Sequence, residues 1–187
     1  TISNEMRSNA VKALIVACIF MLFYIWFRFK DIRFAGSAII ALVHDVLVML
    51  TGYALIRISV GNTFIACILT IVGYSINDTI VIFDRIRENM QGMKKQTPET
   101  LAEVANRSLT QTLSRSLNTS ITTIIMVLLL FILGVSSIRE FALPLMIGLI
   151  SGTYSSIFIA AALWYVMKLH LGKDKLLKPA VAKTKKK

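Results

Sequence analysis

Residues 73–88 read GYSINDTIVIFDRIRE, a stretch that begins inside an apolar run and ends in a group of charges. A run of this kind can cross a bilayer, which takes about 20 helical residues. Asp78 follows Asn77 among Ile, Val and Leu side chains. An ionisable group at that depth costs about 2.5–3.5 kcal/mol on insertion scales, so it usually faces a bundle interior or a water-filled path. We therefore interpret Asp78 as a proton-handling carboxylate.

Composition places the whole chain among membrane proteins. Hydrophobic residues make up 56% of the 187 residues, and the mean hydropathy is +0.70. Five separate apolar runs approach membrane length, more than a soluble domain of this size could bury. The sequence predicts an all-α, polytopic membrane bundle of five transmembrane helices. The predicted spans are residues 10–27, 34–56, 63–84, 114–134 and 141–167.

The positive charges indicate how this bundle is oriented. The net charge is +11, and most of the 21 Lys and Arg fall on one side of the membrane if the first span runs inward. The positive-inside rule then places the C-terminus in the cytoplasm. The lysine-rich tail, residues 168–187, is expected to be drawn to anionic lipid or, less specifically, to ribosomal RNA. No specific nucleic-acid partner is predicted.

A second polar site lies in the second apolar run, where His44 is followed by Asp45. Both residues lie roughly 15 Å from the start of that run at the rise of an α-helix, which is near mid-bilayer. They could form a proton relay or a polar partner for Asp78. They could equally be a structural hydrogen-bonding pair that locks two helices together, and the residue pattern does not decide between the two.

The polar stretch before the fourth span, residues 85–113, contains a helix-start signal. Thr97 can cap a helix that begins at Pro98. Apolar residues then recur on one helix face at Leu101, Val104, Ala105, Leu109 and Leu113. We expect a short amphipathic cytoplasmic helix that lies against the membrane, the bundle or a partner subunit.

The fourth span combines a short apolar part with a polar half. Its strongly apolar part, residues 124–133, cannot cross the hydrocarbon alone, so the helix must include the Ser- and Thr-rich residues before it. Those residues need partners in the bundle interior, because lipid cannot satisfy them. The same helix brings Arg115 to the membrane from the side on which Asp78 lies. Arg115 either approaches Asp78 or extends its guanidinium to the interface.

Small residues recur at every fourth position of the fifth span. Gly148, Gly152 and Ser156 share one helix face with Ala160. This spacing lets two helix backbones approach closely in a membrane. We interpret it as a helix-packing surface without chemistry.

Several classes of enzyme lack support in this sequence. It contains no P-loop, no HExxH or GxSxG motif, and no cluster of Cys and His with metal-ligand spacing. We therefore expect no enzymatic activity, no metal and no cofactor, with protons as the coupling ion.

Long motifs resemble the C-terminal membrane half of the SecD/SecF family of protein-export membrane proteins. They are residues 73–88, NRSLTQTLSRSLNTSITT at 106–123, FALPLMIGLISGTYSSIFIA at 141–160, and the His-Asp pair at 44 and 45. The resemblance implies half of a resistance-nodulation-division type transmembrane domain in the bacterial inner membrane. The family's essential membrane aspartate matches Asp78, and its conserved arginine on the following helix matches Arg115.

The resemblance also implies a function and partners. The family uses the proton gradient to promote late translocation of secreted polypeptides through the SecYEG channel, together with SecD. YidC and YajC are further candidate partners. A complete member would carry an additional helix and an external domain before Thr1, so we expect a fragment or a processed chain.

Two other hypotheses fit the residues. The chain could be half of a proton-coupled lipid or drug exporter of the same superfamily. It could also be a membrane assembly subunit whose polar residues only lock helices together.

Overall fold

The computed structural model describes residues 2–29, 31–57, 62–91, 93 and 97–171. These residues are almost entirely helical, which confirms the all-α prediction. The helices are α1 (Ile2–Phe29), α2 (Ile32–Ile56), α3 (Asn62–Gln91), α4 (Pro98–Leu133) and α5 (Ser136–Tyr154), followed by a π-helical segment (Ser155–Ala160) and α6 (Ala161–Leu171).

Four continuous helical segments are long and apolar enough to cross a bilayer. They are α2, residues 63–91 of α3, the whole of α4, and the run from α5 through α6. In α1 the apolar helical part that qualifies, Ile15–Phe29, is shorter. The chain is thus a multi-pass membrane protein, with four helices of spanning length in the part that the structure describes. The first predicted span, residues 10–27, stays a prediction.

The amphipathic segment before the fourth span is not a separate short helix, which corrects the prediction. α4 is one helix of 36 residues. Thr97 caps it as expected, since its side chain accepts a hydrogen bond from the Thr100 backbone amide. No Gly or Pro interrupts the chain between residues 99 and 133, so no backbone feature ends the helix at the membrane surface. The segment is simply the first half of α4.

The inward face of α4 changes character along the helix. Leu101, Val104 and Ala105 are buried as predicted, whereas Leu113 is 38% exposed. From residue 108 to residue 120 the buried stripe is polar: it comprises Ser108, Thr112, Ser116 and Ser120. The polar half of this span therefore turns these side chains toward the bundle interior, where other helices can provide hydrogen-bond partners.

The bundle is assembled around α5, which packs against α2, α3 and α4. A Cβ atom added to Gly148 would overlap the side chain of Ile71 on α3, and one added to Gly152 would lie 3.3 Å from Cβ of Ser75. Ser156 donates a hydrogen bond to the backbone carbonyl of Ser75, at 3.2 Å. The small residues of α5 and the π segment thus lie directly against α3.

An aromatic cluster joins the helices at the end of the bundle where α1 finishes. The ring of Phe34 on α2 stacks on the fully buried Trp164 of α6, with centroids 5.2 Å apart, and contacts Phe83 of α3 at 4.9 Å. Phe29 of α1 joins the same group. Large apolar side chains on the outer faces of α1 and α4 remain exposed, as contact with lipid requires.

Some predicted features lie outside the described residues. The turn after α2 is seen only at Arg57, which has a φ of 58°. The remainder of that turn, residues 58–61, is not described, and the same holds for residues 94–96 of the loop and for the tail after Leu171.

Candidate functional site

Asp45 on α2 is held by three serine hydroxyls. Ser75 of α3 and Ser155 of the π segment each donate to Oδ2 at 2.6 Å, and Ser151 of α5 donates to Oδ1 at 2.9 Å. The residue is 0% exposed, and no other charged side chain in the described ranges is as fully enclosed. The carboxylate therefore ties three parts of the bundle together.

His44 contacts the same carboxylate from the edge of the bundle. Its Nδ1 lies 3.2 Å from Oδ1 of Asp45, and its side chain is 37% exposed. The pair is therefore in contact, with one member enclosed and the other reaching the surface. Among the hydrogen bonds of the described residues, none joins this pair to Asp78.

Asp78 on α3 is the less enclosed of the two membrane carboxylates. Its Oδ1 accepts a hydrogen bond from Ser116 of α4 at 2.6 Å. Its Oδ2 is buried and has no hydrogen-bond partner among the described residues. The site thus contains one oxygen that accepts a short hydrogen bond and one enclosed oxygen without a donor among the described residues.

Arg115 precedes Ser116 and lies on the exposed side of α4. It attracts the carboxylate of Asp78 through space, but the two form no ion pair within 4 Å. Its guanidinium lines a cavity of about 700 Å³, which also includes Asp84, Arg85 and Arg28. Arg28 and Asp84 form an ion pair at 2.8 Å. Arg115 therefore belongs both to the electrostatic surroundings of Asp78 and to the lining of a charged cavity.

Asn77 does not face the interior with Asp78. It is exposed on the outer face of α3, one turn beyond Gly73, which is also exposed. A Cβ atom added to Gly73 would have no neighbour within 4 Å. An amide at this depth needs a hydrogen-bonding partner that lipid cannot provide. This face is therefore suited to contact with another protein helix.

Hydroxyl groups connect the helices between the two carboxylates. Tyr74 of α3 donates to Ser120 of α4 at 3.0 Å, and Ser120 lies 2.7 Å from Oγ1 of Thr153 on α5. Thr79 and Ser156 are joined at 2.9 Å. In the described part of the chain, no group of three or more His, Cys, Asp or Glu side chains could hold a metal ion.

Sequence reasoning overlooked the serines that hold the two carboxylates. Ser75, Ser151 and Ser155 were not singled out, and Ser116 was noted only as part of a polar helix half. Ser151 and Ser155 are four residues apart in a run of small residues, which gives the same signal as helix packing. These serines could have been predicted from chemistry, because a buried carboxylate requires several hydrogen-bond donors from neighbouring helices.

Comparison with known proteins identifies close relatives. The family model described as "Protein export membrane protein SecD/SecF, C-terminal" matches residues 1–170. The protein translocase subunit SecF of Alicyclobacillus acidocaldarius is 49% identical over 163 residues, which cover 87% of this chain and 53% of that protein. The protein translocase subunit SecDF of Bacillus subtilis is 45% identical over 168 residues, 90% of this chain and 23% of that protein. The chain thus spans about half the length of this SecF relative.

Solved structures show the same arrangement of helices. A crystal structure of SecDF from Thermus thermophilus, described as a translocon-associated membrane protein, has a TM-score of 0.80 and 45% identity, covering 87% of this chain and 22% of that one. A SecDF crystal structure in a super-membrane-facing form has a TM-score of 0.82 and 44% identity, covering 91% of this chain and 23% of that one. Both solved proteins therefore share sequence as well as fold with this chain, at 44% and 45% identity.

Proposed function

The chain belongs to the SecD/SecF family of protein-export membrane proteins, and we propose that it is the membrane half of a SecF subunit. In this proposal it works with SecD and uses the proton-motive force to promote late translocation of secreted polypeptides through SecYEG. Its relatives are protein translocase subunits, which supports a role in export and not in enzymatic catalysis. Protons are the coupling ion, and no other cofactor takes part.

The observation that carries this proposal is the environment of Asp78. One carboxylate oxygen accepts a short hydrogen bond from Ser116, and the other is buried without a donor. A buried acceptor without a partner is costly, and protonation turns that oxygen into a donor and removes the charge. Arg115 is close enough to attract the ionised form without a fixed ion pair. Proton uptake at Asp78 would therefore change the forces between α3 and α4.

His44 and Asp45 have a different role in this proposal. Asp45 accepts hydrogen bonds at both oxygens from three helical segments, so its environment is already satisfied. We propose that it mainly fixes the positions of α2, α3 and α5 around Asp78. His44 supports Asp45 from the more exposed edge.

A SecD half is the partner that best explains the outer face of α3. SecDF relatives are named for both proteins in one chain. The exposed Asn77 and Gly73 would lie against a helix of that half, which would satisfy the amide and use the space above the glycine. SecYEG, YidC and YajC are proposed from family resemblance alone. The proposed location is the bacterial inner membrane, with the C-terminus in the cytoplasm.

Substitution of Asp78 by Asn in the complete SecD and SecF proteins tests this function. The change keeps the side-chain size and removes the titratable group, so we expect proton-gradient-dependent translocation of a secreted precursor into inverted membrane vesicles to be lost. Asp84→Asn is the matched control, since Asp84 is on the same helix, partly exposed and ion-paired with Arg28. The control should translocate normally.

The possible results separate the three hypotheses. Normal translocation by Asp78→Asn vesicles would show that this carboxylate does not couple protons to export. Loss of proton flux with unchanged export would favour the exporter hypothesis. Equal proton flux in wild type and Asp78→Asn would favour a purely structural role.

A further inference from the structure

Ser116 differs from the other buried hydroxyls of α4 because its hydrogen bond goes to a carboxylate on another helix. Ser108, Thr112 and Ser120 each donate to the carbonyl four residues earlier in their own helix, at 2.7, 3.0 and 2.8 Å. Such bonds within one helix are common for Ser and Thr. Ser116 instead donates across the helix boundary, to Oδ1 of Asp78 at 2.6 Å.

The same internal bond is open to Ser116 by geometry. Its equivalent acceptor is the carbonyl of Thr112, one turn earlier on α4. Rotation about the single χ1 torsion of a serine moves its hydroxyl between staggered positions, so the group can serve either acceptor. Ser116 is 1% exposed, which keeps water from competing for the hydroxyl. Two acceptors, one on each helix, are therefore available to one donor.

We propose that Ser116 is a positioning residue whose hydroxyl binds Asp78 when the carboxylate is ionised and turns to the Thr112 carbonyl when Asp78 is protonated. This inference rests on the proposed proton-coupling role of Asp78. The proton is taken up at Oδ2, the buried oxygen without a partner, and Ser116 keeps its own proton throughout. Each cycle would thus make and release a hydrogen bond between α3 and α4.

Few other charges act on this pair. Arg115 of α4 attracts Asp78 through space. On α2, Asp45 is already held by its serines and His44 lies beside it. The sequence of α5 and the π segment contains no charged residue between Phe141 and Ala160. The donor that responds most directly to the charge of Asp78 is therefore Ser116.

The test is the pH profile of proton release by vesicles that contain the complete SecD and SecF proteins. Loss of a donor to an ionised carboxylate corresponds to about one to two pH units. Because the donor favours the ionised form, Ser116→Ala should move the half-maximal pH toward alkaline values by about that amount. Ser116→Thr keeps the hydroxyl and should restore the wild-type profile.

Ser120→Ala is the matched control, since it also deletes a buried hydroxyl that bonds across helices but does not touch Asp78. Its half-maximal pH should equal that of wild type. If Ser116→Ala does not accumulate in the membrane, Ser116→Cys replaces it, and its weak thiol donor should give a smaller alkaline shift. An unshifted profile for the alanine or cysteine variant, or an equal shift in Ser120→Ala, overturns the proposal. Asp78→Asn separates failure of the Ser116 proposal from failure of the proposed function. It abolishes the proton flux only if the proposed function is correct.

Discussion

Asp45 should contribute more to the stability of the bundle than Asp78, although Asp78 is the proposed functional carboxylate. Truncation of Asp45 to Ala leaves the hydroxyls of Ser75, Ser151 and Ser155 without their acceptor in a fully buried site. Truncation of Asp78 removes one hydrogen bond from a half-buried site. The same substitution is made at two carboxylates of one protein, so a difference in unfolding free energy reflects the surroundings of the two carboxylates.

The expected loss of unfolding free energy depends on how many hydrogen bonds are removed and on which bonds replace them. A hydrogen bond to a charged group contributes about 1.5–3 kcal/mol, and each stranded hydroxyl recovers part of this by turning to its own helix. Ser155 already shares its hydroxyl with the Gly152 carbonyl at 3.2 Å. We therefore expect a loss of about 3–5 kcal/mol in unfolding free energy for Asp45→Ala. For Asp78→Ala the expected loss is about 1–2 kcal/mol.

Unfolding in mixed micelles with an increasing fraction of denaturing detergent measures this difference. Both variants are compared with wild type by loss of helix signal and by trypsin sensitivity. Asp45→Asn should fall between wild type and Asp45→Ala, because the amide keeps one acceptor oxygen. If Asp78→Ala is as unstable as Asp45→Ala, the serine contacts of Asp45 do not stabilise the bundle as the structure indicates.

Two further predictions concern packing and surface charge. Gly148→Ala should lower the unfolding free energy by about 1–2 kcal/mol, since the added methyl overlaps Ile71 and offsets the gain in helix propensity. Gly73→Ala is its control and should raise the stability of the isolated chain by up to about 1 kcal/mol. If Gly148→Ala proves more stable than Gly73→Ala in detergent melts, the packing of Gly148 against Ile71 is contradicted. Arg28→Gln should change the unfolding free energy by less than about 1 kcal/mol, because its ion pair with Asp84 is partly exposed. The same melt at low and high salt tests this, and a large, salt-independent loss would show that the pair is more than a surface contact.

The sequence was sufficient to identify the four helices of spanning length in the described part of the chain. Run length and hydropathy identify α2, α3, α4 and the α5–α6 run, because crossing a bilayer sets a minimum length. They do not show where one helix ends inside a polar stretch. For this reason the amphipathic segment and the fourth span were separated, although nothing between residues 99 and 133 breaks the helix.

The direction of each side chain around its helix was harder to predict than the helix itself. Asn77 and Asp78 are adjacent, so they point about 100° apart, and only the neighbouring helices decide which one faces inward. The structure turns Asn77 outward and Asp78 toward α4. The same limit applies to Asp45, whose enclosure depends on serines from α3, α5 and the π segment. Such long-range donors leave no periodic pattern on a single helix.

The wide helical turn at residues 155–160 sets the rotational phase of everything that follows it. A π turn closes hydrogen bonds five residues apart instead of four, so it inserts extra chain without lengthening the rod in proportion. If all six residues took α geometry instead, the extra residue would no longer be absorbed, and α6 would rotate by about 100° relative to α5. Trp164 would then leave the ring of Phe34 and point toward lipid, while Ser151 kept its place beside Asp45. The position of Trp164 relative to the Asp45 site therefore depends on one extra residue in the π turn.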